Sequence, residues 1–411
     1  MDTQKSRRAP FAALRRGTAM PVAAQILIAG TLFSSLGDTL ASLGLVLHAA
    51  DHDIRFGVTE VMLAQLVPTV VAAPLIGSVV DRFSARVVCL WALLLQALSL
   101  GAATAVGGFH VKVALIALAA LAGVASVAAG FKMLPAVAGE SHTGRANSLL
   151  TAGLSVAGLI GPPLAGFLNS LWGTGVLLAT DAVSFLVLAG CTMLAVPSTV
   201  DVAIGRRPAT RLADGYRALR DAPVVGALMP ALAAAMLATS IESVAGVFYL
   251  RGVADGNDTV FGLFLATWAL GSIPGALLAG RPGWENRHTL LIIGGVLAIS
   301  LGLILAGLLP VVWVIFPLFL LAGFGNGACN VGLRNAVHVH VPAEVHGSAW
   351  ACFQALSRTC IGLGYLLGTP NSLVSSRGQV IVSGVIPLVA MAWAALVILR
   401  RGERTLTEPS A

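Results

Sequence analysis

Gly77-Ser78-Val79-Val80-Asp81-Arg82-Phe83-Ser84-Ala85-Arg86 decides how the rest of the chain is read. It is a short charged turn between two long apolar runs, Val58 to Val80 and Val87 to Phe109. Gly77 and Asp81 lie four apart, so on a helix they share one face. The glycine lets a second helix approach closely. Asp81 ends the helix on that same face, and Arg82 and Arg86 stand in water or among lipid headgroups. Each flanking run is long enough to cross a hydrocarbon core of about 30 Å as a helix.

The rest of the chain has the same character. Of 411 residues, 57% are hydrophobic and 10% charged, whereas a soluble domain carries about 25% charged residues. The strands of an outer-membrane barrel would alternate in short segments, and these runs do not. The chain reads as an all-α polytopic membrane protein embedded in a lipid bilayer. A formal charge of +7 would point to nucleic acid only if position were ignored; the basic residues sit at span ends, so no nucleic-acid partner is expected. Cys89, Cys191, Cys329, Cys352 and Cys360 all fall inside apolar runs without metal-ligand spacing and read as small packing residues. The first 20 residues are polar and basic with no cleavage site after the first apolar run, so no removable signal peptide is expected.

The apolar runs place twelve spans, at roughly 22–49, 58–80, 87–109, 112–136, 147–170, 173–196, 223–250, 259–280, 289–309, 311–336, 348–370 and 378–399. They fall into a tail (1–21), a six-helix half (22–196), a linker (197–222), a second six-helix half (223–399) and a final tail (400–411). In the linker Leu212, Tyr216 and Leu219 recur at helical spacing. Two readings stand there, an amphipathic helix on the membrane surface and a plain connection. With both termini cytoplasmic, 20 of the 25 Lys and Arg residues lie on the inside, and only Arg55, Lys112, Arg251 and Arg377 on the outside. That asymmetry orients the chain. The halves also echo each other at an offset of about 203 residues: Gly130-Phe131-Lys132 answers Gly332-Leu333-Arg334, Gly161 answers Gly364, and Asp38 lands near Glu242. Internal duplication of this kind is how many transporters are built, two pseudo-symmetric halves around a central site.

On these residues the chain resembles the major facilitator superfamily of secondary transporters. Gly77-x-x-x-Asp81-Arg82-x-x-x-Arg86 between spans 2 and 3 looks like its signature loop, a gating element. The corresponding loop after span 8, Gly280 to Arg287, lacks the Asp-Arg pair. Leu36-Gly37-Asp38, Arg145-Ala146-Asn147-Ser148-Leu149-Leu150, Gly161-Pro162-Pro163-Leu164-Ala165-Gly166 and Asp181-Ala182-Val183-Ser184-Phe185 resemble the branch that contains enterobactin exporters and macrolide efflux proteins. The Gly-Pro segment is also similar to a motif of drug:proton antiporters, with Ala165 in place of one glycine. Physically Gly161, Pro162 and Gly166 loosen a helix and allow tight packing.

Asp38, Asp181, Glu242 and Arg358 lie well inside spans, where an ionisable group costs about 2.5–3.5 kcal/mol on insertion scales and needs a reason. Ser34, Asp38 and Ser42 give span 1 a polar face, and Ser240, Glu242 and Ser243 do so for span 7. Asp38 and Glu242 are the candidates for carrying a coupled proton. Asp181 reads as a packing element. Arg358 is expected as a buried cation paired with Asp38 or Glu242, and Asn326, Asn330, Arg334 and Gln354 add polar stripes to spans 10 and 11. Trp268, Phe131, Phe324 and Phe353 are expected to face an apolar cavity. His338, His340 and His346 read as a solvated loop.

No nucleotide loop, catalytic triad or zinc motif appears, so neither an enzyme nor a cofactor is expected, and transport energy must come from an ion gradient. The resemblance implies a monomeric transporter of the bacterial inner or plasma membrane that exchanges protons for an amphipathic drug, antibiotic or siderophore-like compound. The alternatives are an inward-directed nutrient or lipid carrier of the same fold and, more remotely, a receptor that transports nothing.

Overall fold

The computed structural model describes residues 20–52, 54, 56–139, 141–197, 212–281, 283–284, 287–341, 345–371 and 373–407. Side chains at 73–82, 212–215, 223–224, 338, 346–348 and 397–407 lie outside that description. Among the described residues the regular structure is helical: α1 Val22–Asp51, α2 Gly57–Arg82, α3 Ala85–Ala105 and α4 Phe109–Ala138. The run Thr143–Ala195 breaks at Gly173 (φ 72°, ψ 171°). That left-handed backbone suits a residue without a Cβ, and it turns one 53-residue run into two crossings, α5 (143–172) and α6 (174–195). Then come α7 Leu212–Asp221, α8 Pro223–Val253, α9 Asp258–Ala279, α10 His288–Leu308, α11 Val312–His340, α12 His346–Leu367 and α13 Ser376–Thr407. Setting α7 aside, the described residues form twelve long helices, six on each side of the linker.

Local chemistry explains the ends. Pro223 opens α8, where its missing N–H has no helical partner to lose. The Asn257 side chain accepts from Val260 N at 3.1 Å and caps α9. Trp91, Leu194 and Trp313 are 69%, 82% and 81% exposed, the inside-out pattern of helices whose outer solvent is lipid.

Small residues set the spacing within each half. Gly30, Gly37 and Gly44 stand seven apart on one face of α1 and meet α6. A Cβ at Gly37 would sit 2.5 Å from Asp181 Oδ1 and Ser184 Oγ, and one at Gly44 2.8 Å from Leu177. In the second half α9 and α11 meet backbone to backbone: a Cβ at Gly271 or Gly275 would strike the Leu320 or Phe324 carbonyl, and one at Gly323 the Trp268 carbonyl.

The two sides of the membrane are named here by the linker: the linker face holds the end of α6 and α7, and the opposite face holds the α1–α2 turn. The halves join through α1 with α8, α2 with α12, and α5 with α9. The third seam uses Pro162, Pro163 and Gly166, because a Cβ at Gly166 would lie 2.1 Å from the Asp258 carbonyl oxygen, whereas Gly161 packs against Thr39 of α1. Gly262 answers from α9, its Cβ position 2.3 Å from the Pro162 carbonyl. Gly166→Val is therefore expected to lower the thermal midpoint of the purified protein in detergent, an overpacking cost of about 1–3 kcal/mol. Gly158→Val, where a Cβ meets nothing within 4 Å, is the matched control. If both variants melt alike, the seam does not depend on that glycine.

Three sequence expectations change. Helix α11 continues to His340, so His338 and His340 sit on its last turns rather than in a loop. His340 Nδ1 lies 3.1 Å from Ala336 O, and its ring meets His288 at 4.7 Å. Helix α13 likewise runs past 399 to Thr407, into the segment read as a tail. The linker residues 212–221 are helical, but Leu219 is buried with Ala222, Val225 and Leu228 and faces the protein rather than lipid. Tyr216 is exposed, and the linker stretch 198–211 lies outside the described residues.

Candidate functional site

A cavity of about 1020 Å³ is walled by the first six helices, with Arg358 reaching in from α12. Helix α1 faces it with Thr31, Ser34, Ser35, Asp38 and Ser42, because a four-residue step keeps 34, 38 and 42 on one face. Gln65 of α2 donates to Ser42 Oγ at 3.0 Å, and Gln96 of α3 to Ser126 Oγ of α4 at 3.2 Å. Leu27, Phe131, Lys132 and Asn147 carry the walls to the linker-face ends of α1, α4 and α5, so the cavity opens toward that face.

Asp38 is exposed to this space and makes no ion pair or hydrogen bond among the described residues. Asp181 is buried on the same wall, accepts from Ser184 Oγ at 3.0 Å and abuts Gly37. Arg358 departs from expectation. It is exposed to the cavity rather than buried, and no carboxylate lies within ion-pair distance of it among the described residues. A long side chain on a cavity wall keeps its charged head in water.

Glu242 is brought to a different place. It lies in the second half, 8% exposed, on a separate cavity of about 290 Å³ lined with Thr239, Ser243, Leu265, Trp268, Phe319 and Asn326. The two carboxylates that the repeat equates thus face one cavity each. Of the polar stripe on α11 only Asn326 lines this cavity. Asn330 donates to Asn326 Oδ1 at 3.1 Å, while the exposed Arg334 sits 5.6 Å over the Trp350 ring. Gln354 is exposed one turn before Arg358. Among the aromatics, Trp268 and Phe131 line cavities. Phe353 does not, being buried against Trp350 at 5.4 Å, and Phe324 abuts Gly275 through its carbonyl. In the charged turn, Arg86 Nη2 donates to Met193 O at 3.1 Å near the end of α6. The side chains of Gly77, Asp81 and Arg82 lie outside the described part.

At the opposite face the halves are sealed by a polar cluster that the sequence reading missed. Arg251, at the end of α8, bonds Asp51 at the end of α1 through Nη2 and Asp258 at the start of α9 through Nε at 3.0 Å. Asn169 of α5 donates to Asp258 Oδ2 at 2.7 Å. Thr174 of α6 donates to Asn169 Oδ1 and to the Gly44 carbonyl, both at 3.1 Å. Nearby, Thr59 of α2 and Thr369 of α12 share a buried hydrogen bond of 2.7 Å. The available signal was a carboxylate or arginine at the opposite-face end of three spans. Arg251 entered the sequence reading only as an outside charge.

The model of the Major Facilitator Superfamily matches residues 27–369. The chain belongs to that superfamily. A search of curated proteins returns no match. Among solved structures the chain is similar to the nucleoside transporter NupG (TM-score 0.71, 15% identity, covering 91% of this chain and 98% of that one). It is similar also to a POT family transporter in complex with 5-aminolevulinic acid (TM-score 0.70, 11% identity, 92% and 96%). A third is a bacterial homolog of the human lysosomal transporter Spinster, in an inward-facing and unoccupied conformation (TM-score 0.65, 14% identity, 93% and 98%). These likenesses are to the fold. As a superfamily member the chain is a secondary-active, alternating-access transporter of a small molecule and not an enzyme. The sealed face and the open cavity are one state of that cycle.

Proposed function

We propose that this transporter carries a small hydrogen-bonding solute inward, driven by protons taken up at Asp38, Glu242 or both. The observation that carries the reading is the cavity wall, where hydroxyls, amides and a free carboxylate stand among the apolar residues. An amphipathic drug needs few such groups; a polar metabolite needs several to replace its hydration. The solutes named with two similar structures, a nucleoside and 5-aminolevulinic acid, are of that polar class. The second reading, export of a drug, antibiotic or siderophore-like compound by the enterobactin and macrolide branch, rests on the Leu36-Gly37-Asp38 and Gly161-to-Gly166 motifs and on apolar cavity residues such as Val127 and Phe131.

In this proposal the linker face is cytoplasmic, from the distribution of Lys and Arg, and the protein acts as a monomer in a bacterial-type inner membrane. The turn at Gly77, Asp81, Arg82 and Arg86 works as a latch on that face, engaged when the cytoplasmic side closes. Uptake of labelled nucleosides, dipeptides and 5-aminolevulinic acid, measured in cells with and without the protein, tests the direction. The expected result is higher cellular content of at least one solute, abolished by a protonophore. Lower content in expressing cells would turn the reading to export; uptake indifferent to the protonophore would remove the proton.

A further inference from the structure

The smaller cavity has a composition that coupling alone does not explain. Glu242 is nine-tenths buried and makes no hydrogen bond or ion pair among the described residues. Its carboxylate folds back over Gly246, where an added Cβ would lie 2.6 Å from Oε1. The neighbouring hydroxyls have spent their protons. Thr239 donates to the Ala235 carbonyl at 2.9 Å and Ser243 to the Thr239 carbonyl at 2.9 Å, so both oxygens offer only lone pairs to the cavity. Asn326 Oδ1 is taken by Asn330, which leaves the Asn326 amide Nδ2 as the one donor among these hydroxyl, carboxylate and amide groups. Trp268, held edge-on by Phe319 at 5.9 Å, closes the other side with Leu265. No lysine or arginine lines this space among the described residues.

We infer that this cavity is a subsite for an organic ammonium group of the cargo, held by Glu242 and the face of Trp268. A wall rich in acceptors and carrying one unpaired carboxylate calls for a cation that brings its own N–H donors. The volume and the wall suit more than the simpler occupants. A water takes about 30 Å³ of liquid, so a cavity of about 290 Å³ is far larger than a bare inorganic ion or a proton needs. An aromatic and aliphatic lining favours a weakly hydrated organic cation over sodium, and an indole is the best of the aromatic faces for it. The assignment rests on the chain carrying small solutes and narrows their chemistry. If Glu242 is committed to the cargo, the coupled proton falls to Asp38.

Binding is measured by calorimetry on the detergent-purified full chain, with benzylammonium chloride as probe and benzyl alcohol as its neutral isostere. The expected result is saturable binding of benzylammonium and none of the alcohol. Glu242→Gln should weaken the cation about tenfold or more, and Trp268→Leu by about 3- to 30-fold. Equal binding of the two probes to the unaltered protein, or no binding of benzylammonium, overturns the assignment without recourse to any variant. Saturable binding of sodium chloride that displaces benzylammonium also overturns it, in favour of an inorganic site. The measurement uses no gradient, so it is separable from the transport reading. Binding without gradient-driven uptake would leave the subsite standing, and uptake of uncharged solutes alone would remove it.

Discussion

Asp38→Asn is expected to abolish gradient-driven accumulation while leaving the protein inserted and able to exchange solute across the membrane. The carboxylate sits at mid-helix on α1, facing the large cavity with no ion pair of its own. Holding a charge at that depth costs about 2.5–3.5 kcal/mol on insertion scales. An unpaired carboxylate there is relieved by picking up a proton in one state and releasing it in the other. An amide keeps the shape but holds no exchangeable charge. Loss of the coupling should leave solute equal on the two sides of the membrane, while counterflow, which needs no gradient, persists. Asp181→Asn is the informative neighbour. It lines the same cavity, but its carboxylate is committed to Ser184 and wedged against Gly37, so it should affect folded yield more than coupling. If Asp38→Asn accumulates solute to the unaltered level, the proton travels by another group.

Much of the fold was legible because lipid imposes a simple rule: every span must be a long apolar helix. The central glycines and prolines were legible too, since Gly161, Pro162 and Gly166 have one evident use, which is close approach. The heptad Gly30, Gly37 and Gly44 carried the same signal and passed unread. Helix ends were harder. His338 and His340 look like loop residues, yet hydrogen bonds continue the helix through polar side chains where the span leaves the lipid. Which way a side chain faces was less legible still. Phe353 and Phe131 are alike in sequence terms, but one turns to the core and the other to the cavity, a difference set by the rotation of each helix. The repeat equates Asp38 with Glu242, and the structure places each in its own half, on separate cavities, rather than together. Arg358 shows the remaining difficulty: an arginine in an apolar run needs water, and only the assembled cavity reveals where that water is.

Arg251→Ala is expected to release the seal at the opposite face and shift the transporter toward the state open on that side. Arg251 and Asp258 belong to the second half, Asp51 and Asn169 to the first. Among the described residues two links therefore cross between the halves in this cluster, Arg251 with Asp51 and Asn169 with Asp258. Removing the arginine breaks the first and leaves Asp258, whose side chain is 9% exposed, without its cation. Breaking a fully buried pair costs about 3–5 kcal/mol. That is an upper bound here, because the Asp51 side chain is 42% exposed and screened by solvent. The cost falls on the sealed state, since both carboxylates are hydrated once the halves part. Even about 1.4 kcal/mol of it moves the two-state ratio tenfold. Thr59, 2% exposed and bonded across the seam to Thr369, reports the opening. A cysteine placed there in a background lacking the five native cysteines should react with an impermeant maleimide about tenfold faster when Arg251 is alanine. Asp51→Ala should give a similar increase, and the two changes together little more than either alone, because they remove the same link. Arg251→Lys should recover only part of the seal: a point charge cannot hold two carboxylates with the fork that guanidinium offers through Nε and Nη2. A labelling rate unchanged in Arg251→Ala would mean that the α5–α9 seam closes this face without help from the charges.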